Sequence, residues 1–189
     1  MRGLTQFMER KNAGKIILGL FIVTNIIYVY MLMVTIPKTM AYANEMKLLD
    51  MLPAGYNWNY VNDLFTTLGE TGRNTYLTTQ IPVDMVYPGL FAISYCLILA
   101  FFLNKLGKLK TSWKYLCALP ILAGIADYLE NFGIIRMLQN YPELTKTSVH
   151  TANIFSIIKS STTSIFFIVL IVLLLLVGIK YLRGSKKQD

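Results

Sequence analysis

The chain has 189 residues, of which 54% are hydrophobic, with a mean hydropathy of +0.49 and a formal net charge of +8. This apolar content is far above that of an ordinary soluble domain and predicts an integral membrane protein. The basic residues lie in short groups at the ends of apolar segments, not in one stripe with interleaved aromatic residues. That distribution excludes a nucleic-acid-binding face.

Four apolar segments are long enough to cross a bilayer, since a spanning helix needs about 20 mainly apolar residues. We predict an all-α integral membrane four-helix bundle, a single domain over residues 1–189, with a partly helical extracytoplasmic loop between helices 1 and 2. The predicted spans are residues 16–36, 83–103, 115–137 and 153–179. They are joined by loops 37–82, 104–114 and 138–152 and followed by a cytoplasmic tail, 180–189.

The first span also fits a cleavable signal peptide, because basic residues precede it and Ala41, Tyr42 and Ala43 form an A-x-A site. Its apolar run of 21 residues exceeds the roughly 7 to 15 residues of a signal-peptide core. We therefore favour an anchored helix.

Lysine and arginine are concentrated on one side of this layout. Three groups of four precede the first span, separate the second from the third, and follow the fourth: Arg2, Arg10, Lys11, Lys15; Lys105, Lys108, Lys110, Lys114; Lys180, Arg183, Lys186, Lys187. The positive-inside rule then predicts a multi-pass protein of the cell membrane with both termini cytoplasmic. Such groups also attract anionic lipids, but topology alone accounts for four basic residues in each.

The loop 37–82 contains a helical pattern. Val61, Leu64, Phe65 and Leu68 are spaced at i, i+3, i+4 and i+7, and Asn57 or Asn59 precedes them as a candidate N-cap. Gly69 follows as the predicted C-terminal stop. We expect this helix to lie on the membrane surface or to cap the bundle.

Polar residues recur at helical spacing within the apolar segments. In the third span Asp127, Glu130 and Asn131 share one face, and the small Gly124 beneath them predicts a close neighbouring helix. At about 1.5 Å per residue, these residues, Asp84 and Lys159 all fall in the outer third of the bilayer. We predict one charge-balanced, ligand-binding cluster, formed by Arg73, Tyr76, Asp84, Asp127, Glu130, Asn131, Arg136 and Lys159.

Two interpretations of this cluster stay open. A satisfied ion network would fix the register of the helices, whereas a cavity would bind the head group of a lipid or cationic amphiphile. Apolar walls for the second are available in Phe91, Tyr95, Phe132 and Phe155. Ionisable groups within a membrane usually mark sites or pathways, so we favour the cavity.

The chain offers little for other chemistry. Cys96 and Cys117 have no CxxC spacing, and the single histidine, His150, lies in a short loop, so we predict no metal and no cofactor. We expect the protein to bind or sense a lipid or small amphiphile, or to assist a membrane partner, and not to be an enzyme. The alternative is an intramembrane enzyme that acts on a lipid with Asp127 and Glu130 as acid and base. A homo-oligomer is compatible with either.

The segment GRNTYLTTQIPVD, followed by ADYLEN, resembles small four-span prokaryotic membrane proteins to which no function is assigned. The likeness covers residues 69–136 and implies no activity. The placement of acids within four spans is also similar in outline to the emopamil-binding-protein group, although none of that group's local patterns occurs. The missing CxxC excludes four-span quinone reductases of the vitamin K epoxide type, and the absent loop disulfide excludes claudin-like proteins.

Overall fold

The structure, a computed structural model, describes residues 2–185. The fold is 83% helical, and the described residues contain no β-strand. Four helical segments are long and apolar enough to cross a membrane: Ala13–Met40, Trp58–Lys105, Ser112–Asn140 and Lys146–Arg183. The all-α fold with four candidate spans is therefore confirmed. Lys186 and Lys187, counted above among the basic residues, lie outside the described residues.

Residues 2–185 form six helices. The first two are α1, Arg2–Met8, and α2, which comprises Ala13–Tyr30, a π-helical stretch Met31–Thr35 and a last turn Ile36–Met40. Helix α3 comprises Trp58–Thr75, a π-helical stretch Tyr76–Gln80 and a last turn Ile81–Asp84. The remaining three are α4, Tyr87–Lys105; α5, Leu119–Asn140; and α6, Lys146–Ser185. Short 3-10 stretches occupy Leu49–Met51 and Ser112–Ala118.

Two prolines explain the π-helical stretches. Each stretch ends directly before an isoleucine-proline pair, Ile36-Pro37 in α2 and Ile81-Pro82 in α3. Proline lacks the backbone N–H and its ring collides with the carbonyl four residues earlier, so the helix must widen or bend there. The two widened turns lie against each other and bring Thr35 beside Gln80.

The core has two parts, one at each end of the bundle. At the end that we call the capped end, α3 buries Val61, Leu64 and Phe65 against the ends of α5 and α6. At the opposite, basic end, the residues Met8, Ile17, Leu103, Cys117 and Leu173 pack together. The polar cluster lies between these two apolar regions.

Close helix packing holds α4, α5 and α6 together. A Cβ on Gly124 of α5 would lie 2.7 Å from the Pro88 carbonyl oxygen of α4, and one on Gly133 would lie 2.6 Å from the Cβ of Ala152 in α6. The close neighbour predicted at Gly124 is therefore confirmed. Helix α2 packs on α4 and α3 and makes little contact with α6, which leaves a gap between α2 and α6.

Helix α3 begins as its sequence predicts, but it does not end where expected. The Asn57 side chain accepts a hydrogen bond of 2.9 Å from the Tyr60 N–H, which is the predicted N-cap. Gly69 has φ 61° and ψ −174°, a conformation open to glycine, and this breaks the helix. The helix resumes at once, because the next turns bury Tyr76 and Gln80 at the capped end.

Helix α6 begins earlier than the predicted fourth span. Its first turn starts at Lys146, and the Thr145 hydroxyl accepts a hydrogen bond of 3.1 Å from the Ser148 N–H. This cap, which the sequence analysis did not include, starts the helix within the predicted loop 138–152.

Candidate functional site

The centre of the polar cluster is one lysine between two acids of the neighbouring helix. The Lys159 Nζ of α6 forms ion pairs with the Glu130 carboxylate and with Asp127 Oδ1, the latter at 3.3 Å. The side chain of Glu130 has no exposed surface, and those of Asp127 and Lys159 are 11% and 16% exposed. The spacing of three residues puts both acids on the face of α5 that meets α6.

A third acid lies beside this pair at the end of α3. Asp84 is 4% exposed, and its Oδ2 has no hydrogen-bond partner. The Asn131 side chain of α5 donates a long hydrogen bond of 3.4 Å to the Asp84 backbone carbonyl and so ties α3 to α5. Asp84 therefore brings a buried carboxyl oxygen to the cluster without a protein donor to satisfy it.

A fourth acid, Asp50, comes from the segment between α2 and α3. Its two carboxylate oxygens accept hydrogen bonds of 2.7 Å from the Tyr76 hydroxyl and 3.0 Å from the Gln80 amide. The Gln80 side-chain oxygen in turn accepts a hydrogen bond from the Thr35 hydroxyl of α2. This chain of bonds fixes Asp50 and joins α2 to α3.

Backbone contacts hold the neighbouring loop on α6. The Asn153 side chain accepts a hydrogen bond of 2.7 Å from the Tyr56 N–H, and the Ser156 hydroxyl donates one of 3.4 Å to the Leu52 carbonyl. The Tyr56 hydroxyl is buried without a hydrogen-bond partner. Burial, and next the Glu130 carboxylate, raise the pKa of Tyr56, so this phenol stays neutral at ordinary pH.

The structure brings together six of the eight predicted site residues, namely Tyr76, Asp84, Asp127, Glu130, Asn131 and Lys159. Arg73 and Arg136 lie elsewhere. The Arg73 guanidinium donates a hydrogen bond of 2.7 Å to the Phe65 carbonyl, and it lies 4.2 Å from the Tyr141 ring centre. Arg136 is exposed on α5, because nine residues after Asp127 a helix has turned by about 180°.

The predicted balance of charges is therefore not present. Four carboxyl groups, those of Asp50, Asp84, Asp127 and Glu130, share the region with a single amine, that of Lys159. The cationic partners of the acids were predicted from depth along the helix alone, without the angular position of each arginine.

A cavity of about 640 Å³ lies beside the cluster. Asp50, Asp84, Asp127 and Lys159 line its polar part, whereas Glu130 is sealed behind them. Its aromatic part is formed by Tyr87, Phe91, Tyr95 and Phe167. Two of the walls predicted above, Phe91 and Tyr95, are present; Phe132 is 56% exposed on another face, and Phe155 does not line the cavity.

The cavity lies at the gap between α2 and α6. Tyr28 and Leu32 of α2, on one side, and Ser164 and Phe167 of α6, on the other, line the cavity and are themselves exposed. The site therefore opens sideways through the wall of the bundle.

The described part of the chain was also compared with the geometry of metal sites. No group of three or more histidine, cysteine, aspartate or glutamate side chains is placed to hold a metal ion within residues 2–185. His150 is exposed on the first turns of α6. Comparisons with family models, curated proteins and solved structures gave no match for this chain.

Sequence reasoning missed Asp50 and Thr35. Asp50 stands alone in the apolar run LLDML, and an acid among buried apolar residues was the available signal. Thr35 lies just before an isoleucine-proline pair, as Gln80 does, and this shared pattern could have paired the two positions.

Proposed function

We propose that the protein binds a small cationic amphiphile, with the cationic group of the ligand held in the acidic part of the cavity. The observation that carries the proposal is the Asp84 carboxyl, which lines the cavity, is 4% exposed and has one oxygen without a hydrogen-bond partner. Buried polar atoms normally have partners. In this proposal, a hydrogen-bond donor of the ligand is the partner of this Asp84 oxygen.

The charges favour a cation over an anion. Asp50 is engaged by Tyr76 and Gln80, and Asp127 shares Lys159 with Glu130. The amine of Lys159 is thus already committed to two carboxylates, and no second cation of the described chain pairs with any acid. A positive ligand reduces the imbalance, whereas a negative ligand increases it.

The surroundings of the cavity favour an apolar tail. Tyr95 lines this cavity and also a second, apolar groove of about 340 Å³ nearer the basic end. That groove is formed by α2, α4 and α6, with Phe21, Ile98, Phe102 and Leu174 among its walls. Polar and apolar sites that share a residue suit a molecule with a polar head and a hydrocarbon tail.

The dimensions of the two sites support a ligand with one hydrocarbon tail. The volume of about 640 Å³ is within the roughly 300 to 1,000 Å³ typical of small-molecule sites. From Thr163 in the cavity to Leu174 in the groove, α6 rises by about 16 Å. Half of a hydrocarbon core of about 30 Å is roughly 15 Å, the depth that one lipid tail occupies. The sideways opening gives such a molecule a route from the bilayer.

Direct binding tests this proposal. Purified protein in an uncharged detergent is titrated with dodecylamine and, in parallel, with the uncharged dodecanol, and binding is followed by calorimetry. We expect the amine to bind at least about tenfold more tightly, a difference of about 1.4 kcal/mol. Asp84→Asn should remove this preference, and the matched control Asp63→Asn, at an exposed position of α3, should retain it.

Equal affinity for the two ligands in the wild-type protein refutes the proposal. So does an unchanged preference in Asp84→Asn when that variant unfolds at the same temperature as the wild type. Recovery of a chemically altered lipid would favour the alternative function, an intramembrane enzyme that acts on a lipid. The geometry favours binding, because only Asp127 of the predicted acid and base pair lines the cavity.

The orientation belongs to the same proposal. Four candidate spans support a multi-pass membrane protein, and the charge distribution supports cytoplasmic termini with the capped end outside. The acidic cavity then faces the outer half of the bilayer. A ligand reaches it from the outer leaflet or the outer solution.

A further inference from the structure

A separate cavity of about 340 Å³ lies at the basic end of the bundle. Three cationic side chains line it: Lys108 from the connection between α4 and α5, and Lys180 and Arg183 from α6. Lys108 lies more than 70 residues before the other two in the chain, so the fold and not a local charge run brings it beside them. Topology accounts for the number of basic residues at this end, but not for their convergence on one cavity.

One of the three cations is held in place. The Lys180 Nζ donates a hydrogen bond of 2.7 Å to the backbone carbonyl of Lys105, the last residue of α4. The last carbonyls of a helix have no partner within it and attract cations. An ammonium group has three donors, so Lys180 keeps two for a ligand.

None of these three cations forms an ion pair with an acid among the described residues. The sequence has no aspartate or glutamate between Asp84 and Asp127, and none between Glu143 and Asp189. Both ion pairs among the described residues belong to Lys159, far along α6. Within the described part of the chain, the cavity therefore has a positive lining without a carboxylate counter-ion.

The rest of the lining is apolar and aromatic. Leu106, Leu176 and Ile179 form its walls, and Leu176 and Ile179 are 38% and 47% exposed on the outside of α6. Trp113 completes the cavity and is 43% exposed. Tryptophan is favoured where hydrocarbon meets head groups. A soluble anion would contact only the cationic part of this lining, whereas a lipid would contact both the cationic and the apolar part.

We infer that this cavity binds the phosphate of an anionic phospholipid, with an acyl chain along Leu176 and Ile179. Arginine provides two parallel N–H donors that match phosphate oxygens, and lysine provides a compact charge. Basic pockets between membrane helices bind anionic head groups in this way. The site is independent of the acidic cavity and does not require that the protein bind an amphiphile there.

Mass spectrometry of the intact protein tests this inference. Protein in an uncharged detergent receives equal amounts of phosphatidylglycerol and phosphatidylcholine with the same acyl chains, and the retained lipids are counted. We expect one phosphatidylglycerol to be retained with roughly tenfold preference. The double variant K108Q/R183Q should lose the preference.

The matched control is K110Q/K114Q, which removes the same charge from the same end but from outside the cavity lining. Equal loss in both double variants would show diffuse attraction and refute the site. Equal retention of the two lipids by the wild-type protein would refute it as well. We expect inorganic phosphate not to displace the lipid. Displacement by phosphate would overturn the assignment to a phospholipid. Lys108, Lys110 and Arg183 are exposed and Lys114 is half-buried. Equal unfolding temperatures confirm intact folds.

Discussion

The ammonium group of Lys159 satisfies two carboxylates that have no other cationic partner within reach. Breaking a buried ion pair by removal of one partner is costly, because the remaining charge stays in a region of low polarity. Glu130, with no exposed surface, cannot turn toward water without a change in the packing of α5 and α6.

We therefore expect Lys159→Met to lower the free energy of unfolding by about 3–5 kcal/mol. Thermal unfolding in detergent measures this change. Lys146→Met is the control, since Lys146 is exposed on the same helix and makes no ion pair. Addition of Glu130→Gln to Lys159→Met should restore part of the loss. Equal unfolding temperatures for the two single variants would contradict the argument.

At this scale the sequence was most informative where residues follow a regular helix. Asp127, Glu130 and Asn131 were predicted to share a face because three- and four-residue spacings do so, and all three are buried together. Asp50 was not found, because it lies within a single 3-10 turn, which has no periodicity to place its side chain. Arg73 turns back to the Phe65 carbonyl of its own helix, across the break at Gly69.

Helix α3 covers the capped end because it changes direction at Gly69 and then continues as a helix. The first part of α3 buries Val61, Leu64 and Phe65 over the bundle, and the second part carries Tyr76 and Gln80 to Asp50. The change of direction at Gly69 uses positive φ with an extended ψ, which other residues adopt only with strain.

We expect Gly69→Ala to destabilise the protein by about 1–3 kcal/mol. A Cβ at Gly69 meets no atom within 4 Å, so the effect reports backbone strain and not a steric clash. Gly19→Ala is the matched control, since that position in α2 is equally open but is regular helix. Chemical denaturation measures both. A neutral or stabilising Gly69→Ala would contradict the assigned conformation.

Helix starts and stops were predictable where capping residues mark them. Asn57 was one of two N-cap candidates predicted from the sequence, and Thr145 has the same kind of signal but was placed in a loop. The π-helical stretches were not predicted. Their prolines were visible, but proline equally predicts a break, and packing of the two widened turns on each other decides between these outcomes.

The bundle as a whole has two chemically different ends. The four acids of the polar cluster line or adjoin the cavity between the two apolar regions, and the basic end holds Lys105, Lys108, Lys180 and Arg183. Four spans were predictable because apolar length and composition determine them. The sideways gap between α2 and α6 was not, since it depends on which helices pack and no periodicity encodes that choice.

We expect both termini to lie in the cytoplasm and the connection between α5 and α6 to lie outside. Fusion reporters test this. Alkaline phosphatase attached after Glu143 should be active, and attached after Lys108 it should be inactive. Green fluorescent protein should fluoresce at the C-terminus. The reverse activities would show the opposite orientation and would place the acidic cavity in the inner half of the bilayer.

The order of synthesis gives the ion pairs of Lys159 a consequence during biogenesis. Helix α5 is the least apolar of the four candidate spans and α6 the most apolar. As the ribosome releases α5, its two acids enter the insertion machinery before their lysine has been translated. We therefore expect stable integration of α5 to wait for α6, and a nascent chain that stops before Lys159 to leave α5 exposed to quality-control proteases.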